Sequence, residues 1–203
     1  MLSSQKYKVT FILIAVNIAV YIYTSVVGGN FLETDYNLLL QYGQVGLFVF
    51  RYGLYWQLFT SMFVHASIAH IAGNMIFLLV FGLRGEEMFS LPEYLTVYLL
   101  GGLTGNLLSL LFLPLDVPSV GASGAIFALF GAVTIHARRT IGQSIIGALI
   151  YGFFLLFISA APGVNILAHF GGLATGLLIG YLLALRRKPT TKYKISYSYG
   201  NPF

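Results

Sequence analysis

Residues 140–185 contain no Asp, Glu, Lys or Arg, a stretch long enough to cross a bilayer twice at about 20 apolar residues per helix. A run of this kind has no place in a water-soluble globule. The rest of the chain agrees: of 203 residues, 58% are hydrophobic and 8% charged, with a mean hydropathy of +0.84, whereas an ordinary soluble domain has roughly 25% charged residues. There is no Cys, which excludes a disulfide framework, a thiol nucleophile and Cys-ligated metal.

Charges and turn signals divide the sequence into spans at about 9–27, 67–83, 94–113, 122–138, 143–159 and 165–185. Asp116, between Pro114 and Pro118, parts the third span from the fourth, and the Ser-Ala-Ala-Pro-Gly run at 159–163 reads as the turn between the last two. The fold expected is an all-α polytopic membrane protein, a six-transmembrane-helix bundle over residues 1–186, followed by a polar tail at 187–203. The first outer loop, 28–57, is rich in Leu, Phe, Tyr and Gly. It is too apolar for a free loop and is expected to lie in the interface as short amphipathic turns.

Six spans put both ends on one side. That side then holds Lys6, Lys8, Arg84, Arg138, Arg139, Arg186, Arg187, Lys188, Lys192 and Lys194, leaving opposite only Arg51 of the 11 basic residues. The positive-inside rule makes both termini cytoplasmic, and a multi-pass protein of the plasma membrane is expected. The first span is read as a helix that stays, because Thr24-Ser25-Val26-Val27 makes a poor small-x-small cleavage site.

Small residues recur every four positions at Gly172, Gly176 and Gly180 on the sixth span, and at Gly124, Ala128 and Gly131 or Ala132 on the fourth. This spacing lets two backbones approach closely, so these two spans are expected to be neighbours.

Polar groups inside a membrane are costly and call for individual explanation. Spans two, four and six all enter from the outer face, and each carries its conspicuous polar residues near that entry. His70 and Asn74 are four apart on one helical face. Ser123 falls in the first turn after Gly121-Ala122, and His169 shares a stripe with Gly172 and Gly176. At about 1.5 Å per residue, the four lie within roughly 10 Å of one another in depth. Taken singly, each has a plainer reading: a Ser capping its own turn, a His bridging helices, an Asn serving as interhelical glue. His136, beside Arg138 and Arg139, suits the helix dipole at its end. Asn17, Asn106 and Ser109 have no visible partner set and are read as packing groups.

The chemistry open to a hydroxyl, two imidazoles and a carboxamide in one cleft is acyl transfer. A serine becomes a nucleophile when an imidazole takes its proton, and the same imidazole later protonates the leaving amine. Donors for the oxyanion are available from His70, Asn74 and the Ser123 backbone N–H. No carboxylate lies near this depth. Glu86, Glu87 and Glu93 are assigned to the cytoplasmic side, and Glu33, Asp35 and Asp116 to outer loops, so a Ser/His dyad is expected, with no cofactor and no metal.

Three runs, His65-Ala-Ser-Ile-Ala-His70-Ile-Ala-Gly-Asn74, Gly121-Ala122-Ser123-Gly124, and Ala168-His169-Phe-Gly-Gly172-Leu-Ala-Thr-Gly176, resemble the three signatures of the rhomboid intramembrane serine proteases, in the same order. The resemblance implies Ser123 as nucleophile, His169 as general base and acid, and His70 with Asn74 lining the oxyanion hole. It also implies supporting roles for His65, Phe127, Gly121, Gly124, Gly172 and Gly176. His65 matches a further family His that is more structural than catalytic. Two positions depart from the family pattern: Trp56-Gln57 stands where a Trp-Arg pair is common, and Phe127 where a Tyr is common. Phe127 can stack on His169 but cannot donate a hydrogen bond.

The partners expected are the lipid bilayer and transmembrane segments of other membrane proteins, with no nucleic acid; the sequence carries nothing that sets an oligomeric state. A peptide bond in a spanning helix is hydrogen-bonded and dry, so cleavage requires a locally unwound segment and water from the outer side. The resemblance further implies single-pass substrates, a small residue before the scissile bond, and sideways entry near spans two and five. Two other readings are a catalytically inactive relative that binds membrane helices and a metal or proton transporter using His65, His70 and His169. Against the transporter, His65 and His70 placed on one helix would point about 140° apart, and no carboxylate or thiol completes a ligand set.

Overall fold

The computed structural model describes residues 7–159 and 163–186. The tail expected at 187–203, the middle of the 159–163 turn, and Lys6, Arg187, Lys188, Lys192 and Lys194 of the charge pattern lie outside the described residues. Within them the chain forms nine helices: α1 (Lys8–Gly28), α2 (Tyr36–Tyr42), α3 (Gly46–Tyr52), α4 (Gln57–Thr60), α5 (Ile68–Met88), α6 (Leu91–Phe112), α7 (Ser123–Thr140), α8 (Ile146–Ile158) and α9 (Ile166–Arg186). A helix lies over each of the six expected stretches. By length and composition, however, only α1, α5, α6 and α9 are long and apolar enough to cross a membrane. Two arginines, Arg138 and Arg139, close the 18-residue α7. The 13-residue α8 is only roughly 20 Å long, short of a hydrocarbon core of roughly 30 Å.

The charge pattern predicts an end to the second span at Leu83, yet α5 continues to Met88. The extra turn has a partner. Glu86 accepts hydrogen bonds from the backbone N–H groups of Val9 (3.2 Å) and Thr10 (2.7 Å) in the first turn of α1. These donors have no partner within their own helix, and an anion there also suits the helix dipole. Tyr7 donates to Glu87 (3.1 Å), Glu87 pairs with Arg84, and the Thr10 hydroxyl meets that of Tyr94 at 3.1 Å. Glu93 then accepts from the Ser90 N–H and hydroxyl, both at 2.8 Å, and starts α6.

The expected neighbours do pack together. A Cβ on Gly172, Gly176 or Gly180 of α9 would fall on the backbone of Gly124, Ala128 or Ala132 of α7, respectively. Ala132, and not Gly131, completes the register on α7. A third helix joins the seam: Gly101 of α6 faces Ala128, and Gly105 faces Ala168 and Gly171. Flanked by α5, α6 and α9, α7 is buried along most of its length. The start of α7 is thereby held in a rigid frame.

The 28–57 loop folds as the short helices α2 and α3 and runs into α4. Gln57, fully buried, ties it together. Its Oε1 accepts from Val45 N (3.1 Å), and its Nε2 donates to the carbonyls of Leu40 (2.9 Å) and Gln41 (3.2 Å). Gln57, at the position where the resemblance has an Arg, thus anchors this loop. The loop's other end is held at the entry to α5, where Thr34 N–H donates to Ala66 O (2.9 Å) and the Thr34 hydroxyl to His65 O (2.7 Å).

Candidate active site

The segment leading to Ser123 is fixed before the helix begins. Ser119 and Gln44 exchange backbone hydrogen bonds at 2.9 Å, and Gly121 N–H donates to Ser61 O at 2.9 Å. Gly121 has φ +123°, a conformation that L side chains rarely adopt. It is also crowded. The His70 ring atoms Cε1 and Nε2 lie 2.8 Å from where a Gly121 Cβ would stand, and Asn74 Nδ2 lies 3.7 Å from it. Two residues later, Ser123 opens α7, so its backbone N–H has no intrahelical acceptor.

His169 comes from the first turn of α9, which Asn165 secures. Asn165 Oδ1 accepts from Ala168 N (3.0 Å), and its Nδ2 reaches the hydroxyls of Ser109 (2.7 Å) and Ser119 (2.6 Å). This node links α9 to α6 and to the segment before Ser123. With the seam between α7 and α9 so tight, His169 Nε2 stands 2.8 Å from Ser123 Oγ. The Phe127 ring, one turn into α7, stacks on the His169 imidazole at 4.4 Å and 19°. On the other side of the imidazole, Ser159 Oγ lies 3.1 Å from Nδ1. His169 is almost fully buried, at 7% exposure.

His70 is positioned by the cap of α5, where Ser67 Oγ accepts from His70 N–H (3.2 Å). Asn74 Nδ2 donates to His70 O (3.2 Å), which leaves its second amide hydrogen for another acceptor. His65 is not on this helix. It precedes α5, so the 140° separation reckoned along one helix does not apply, and its ring packs edge-on against His70 at 5.1 Å. Burial, with His70 beside it, pushes the His65 imidazole well below its ordinary pKa, so it is a neutral wall behind His70. Among the described residues, no group of three or more His, Asp or Glu side chains is placed to hold a metal ion.

The structure therefore gathers Ser123, His169, His70, Asn74, Gly121 and Phe127 at one end of the bundle, with Gly124, Gly172 and Gly176 in the seam beneath and His65 behind. Asp116 is exposed. His136 lies toward the other end of α7, packed on the Phe89 ring at 5.2 Å. Chemically, a serine at a helix start has a ring nitrogen to receive its proton and the polar side chains of His70 and Asn74 against Gly121, two residues before it, an arrangement able to support nucleophilic acyl transfer. The sequence assigns no partner to Ser159, in a Pro-Gly turn ten residues before His169, or to Asn165, a helix-start Asn; the four-residue spacing of Asn165 and His169 is the signal that could have joined the latter to the site. Asn106 and Ser109, read as packing groups, have specific partners: Asn106 Nδ2 donates to Leu58 O (2.7 Å) and Ser61 Oγ (2.9 Å), and Ser109 holds Asn165.

Comparison with known proteins bears on the same elements. Residues 52–186 match the family model described as "Rhomboid domain", which takes in α4 to α9 and every residue of the cluster. The chain is 39% identical over 137 residues to "RHOMBOID-like protein 6, mitochondrial" of Arabidopsis thaliana, covering 64% of this chain and 44% of that protein. It is 38% identical over 163 residues to "RHOMBOID-like protein 2" of the same plant, covering 70% and 49%. With "Rhomboid protease GluP" of Bacillus subtilis (strain 168) the identity is 33% over 183 residues, or 87% of this chain and 35% of that one. The chain thus spans between a third and a half of the length of these relatives. A domain match over most of the chain, together with relatives sharing a third or more of their aligned residues, makes this multi-pass membrane protein a member of the rhomboid family.

Proposed function

We propose that this protein is an intramembrane serine endopeptidase that cleaves transmembrane segments of other membrane proteins near the outer leaflet through a Ser123/His169 dyad. The observation that carries the reading is the 2.8 Å contact between Ser123 Oγ and His169 Nε2 at the mouth of a helix, with His70 and Asn74 alongside. Ser123 Oγ attacks the scissile carbonyl carbon while its proton passes to His169 Nε2. The tetrahedral oxyanion is received by the Ser123 N–H and the side chains of His70 and Asn74. On collapse the C–N bond breaks, His169 delivers its proton to the departing amine, and an ester to Ser123 remains. Water, deprotonated by the same imidazole, hydrolyses that ester. Both termini are cytoplasmic on the charge pattern, which puts this end of the bundle at the outer face, in the plasma membrane. Substrates are single-pass segments with helix-weakening residues near their outer end and a small residue before the cleaved bond.

The test is active-site labelling. Purified protein treated with a fluorophosphonate should carry the adduct on Ser123, and cleavage of a model transmembrane substrate should vanish in Ser123→Ala and equally in His169→Ala. The double variant should be no worse than either single, because the pair acts as a unit. Substantial turnover by Ser123→Ala would overturn the mechanism.

A further inference from the structure

We propose that Ser159 is a positioning residue for His169, the acceptor that fixes which ring nitrogen carries the proton. The inference rests on the dyad reading and goes beyond it, because a Ser/His dyad leaves the second nitrogen of the imidazole without an assigned partner.

Hydrogen-bond direction carries the inference. The Ser159 hydroxyl lies 2.8 Å from Leu156 O, one turn back on α8. A carbonyl only accepts, so the single hydroxyl hydrogen of Ser159 points there. The lone pairs of Ser159 Oγ then face His169 Nδ1 at 3.1 Å, and only an Nδ1–H completes that contact. In the neutral ring a hydrogen on Nδ1 leaves Nε2 bare, and Nε2 is the atom 2.8 Å from Ser123 Oγ. The relay therefore runs one way: Ser123 O–H to His169 Nε2, His169 Nδ1–H to Ser159 Oγ, Ser159 O–H to Leu156 O. Only this tautomer makes His169 a base toward Ser123. When Nε2 receives the proton, Nδ1–H is already satisfied, so the cation forms without reorganisation of its far side.

Ser159 here occupies the place that a carboxylate holds in a triad, with a neutral acceptor in its stead. A neutral hydrogen bond has a modest net value, so the effect is expected in turnover and to be small beside the loss of a triad Asp. The near-isosteric pair Ser159→Thr and Ser159→Val, which differ by a hydroxyl, isolates the acceptor from side-chain bulk. Ser159→Val and Ser159→Ala should lower kcat on a transmembrane substrate about three- to tenfold at unchanged KM, with Ser159→Thr within about twofold of the parent. Imidazole ¹⁵N spectra of labelled protein in bicelles should show His169 of the parent and of Ser159→Thr as the Nδ1–H tautomer, and Ser159→Val as a mixture with the Nε2–H form. Unchanged kcat or an unchanged tautomer ratio in folded Ser159→Val overturns the proposal, and so does a rise in KM alone. If neither hydroxyl-free variant folds, a dominant Nε2–H form in the parent protein overturns it. Absence of any Ser123 adduct in the parent sinks the protease reading instead, and the tautomer measurement, which needs no turnover, separates the two failures.

Discussion

The ring of Phe127 lies nearly parallel to the imidazole of His169, with centroids 4.4 Å apart. Because Phe127 has no hydroxyl, its contribution is the face alone, a stacking contact with a value of order 0.5–1.5 kcal/mol. Phe127→Leu should therefore lower kcat on a transmembrane substrate by about three- to tenfold. Phe127→Tyr, which keeps the face, should stay close to the parent. Steady-state kinetics in detergent decide it, and an unchanged Phe127→Leu would mean that the stack does not orient the base.

Asn74 keeps one amide hydrogen on its own helix and has another to give. If that hydrogen meets the oxyanion, Asn74→Ala should slow turnover by roughly 10² to 10³, the usual cost of one such donor, with little change in KM. A loss of apparent affinity at full turnover would place Asn74 in substrate binding.

Two glycines make a paired test of packing. A methyl group on Gly172 has nowhere to go but the Gly124 carbonyl, whereas one on Gly73 of α5 meets nothing within 4 Å. Gly172→Ala should destabilise the protein by about 1–3 kcal/mol, and Gly73→Ala should be neutral or stabilising by up to about 1 kcal/mol through helix propensity. Thermal unfolding followed by circular dichroism ranks the two, and equal midpoints would contradict the seam.

Gln57 satisfies three backbone groups of the loop. Gln57→Ala strips partners from Leu40, Gln41 and Val45 at a cost of about 1–3 kcal/mol for each group left buried and unpaired. Hydrogen exchange should accelerate at the Val45 amide and its neighbours, while the amides of α9 stay protected. Uniform acceleration across the chain would mean that the residue supports the global fold and not the loop.

The parts of this protein legible in its sequence are those with a period or a cost. The four-residue stripe of small groups on two apolar helices announced the seam between α7 and α9, because small residues there have few other uses. Ser123, His169, His70 and Asn74 stood out because polar groups in a membrane are expensive. What stayed hidden has neither mark. Ser159 sits among Ala, Pro and Gly, where a Ser normally signals only a turn, and its partner lies across a connection. Gln57 acts through carbonyls and an amide that any sequence would supply. Spacing alone reckons His65 and His70 along one helix, whereas α5 starts three residues after His65. The first charge, Arg84, marks an end for α5 in the sequence, although Glu86 beyond it is where the helix finds its partner.

That carboxylate draws a boundary different from the one that the domain match draws. The recognisable domain begins at residue 52, yet Glu86 inside it grips the first turn of α1, and Thr10 meets Tyr94 across the same junction. A piece cut at the edge of the domain match would keep the whole serine-histidine cluster and lose both clasps, leaving an acidic group and a phenol on a bare flank. The span matched by the domain model and the span joined by these hydrogen bonds are different lengths of this chain, and α1 belongs to the second.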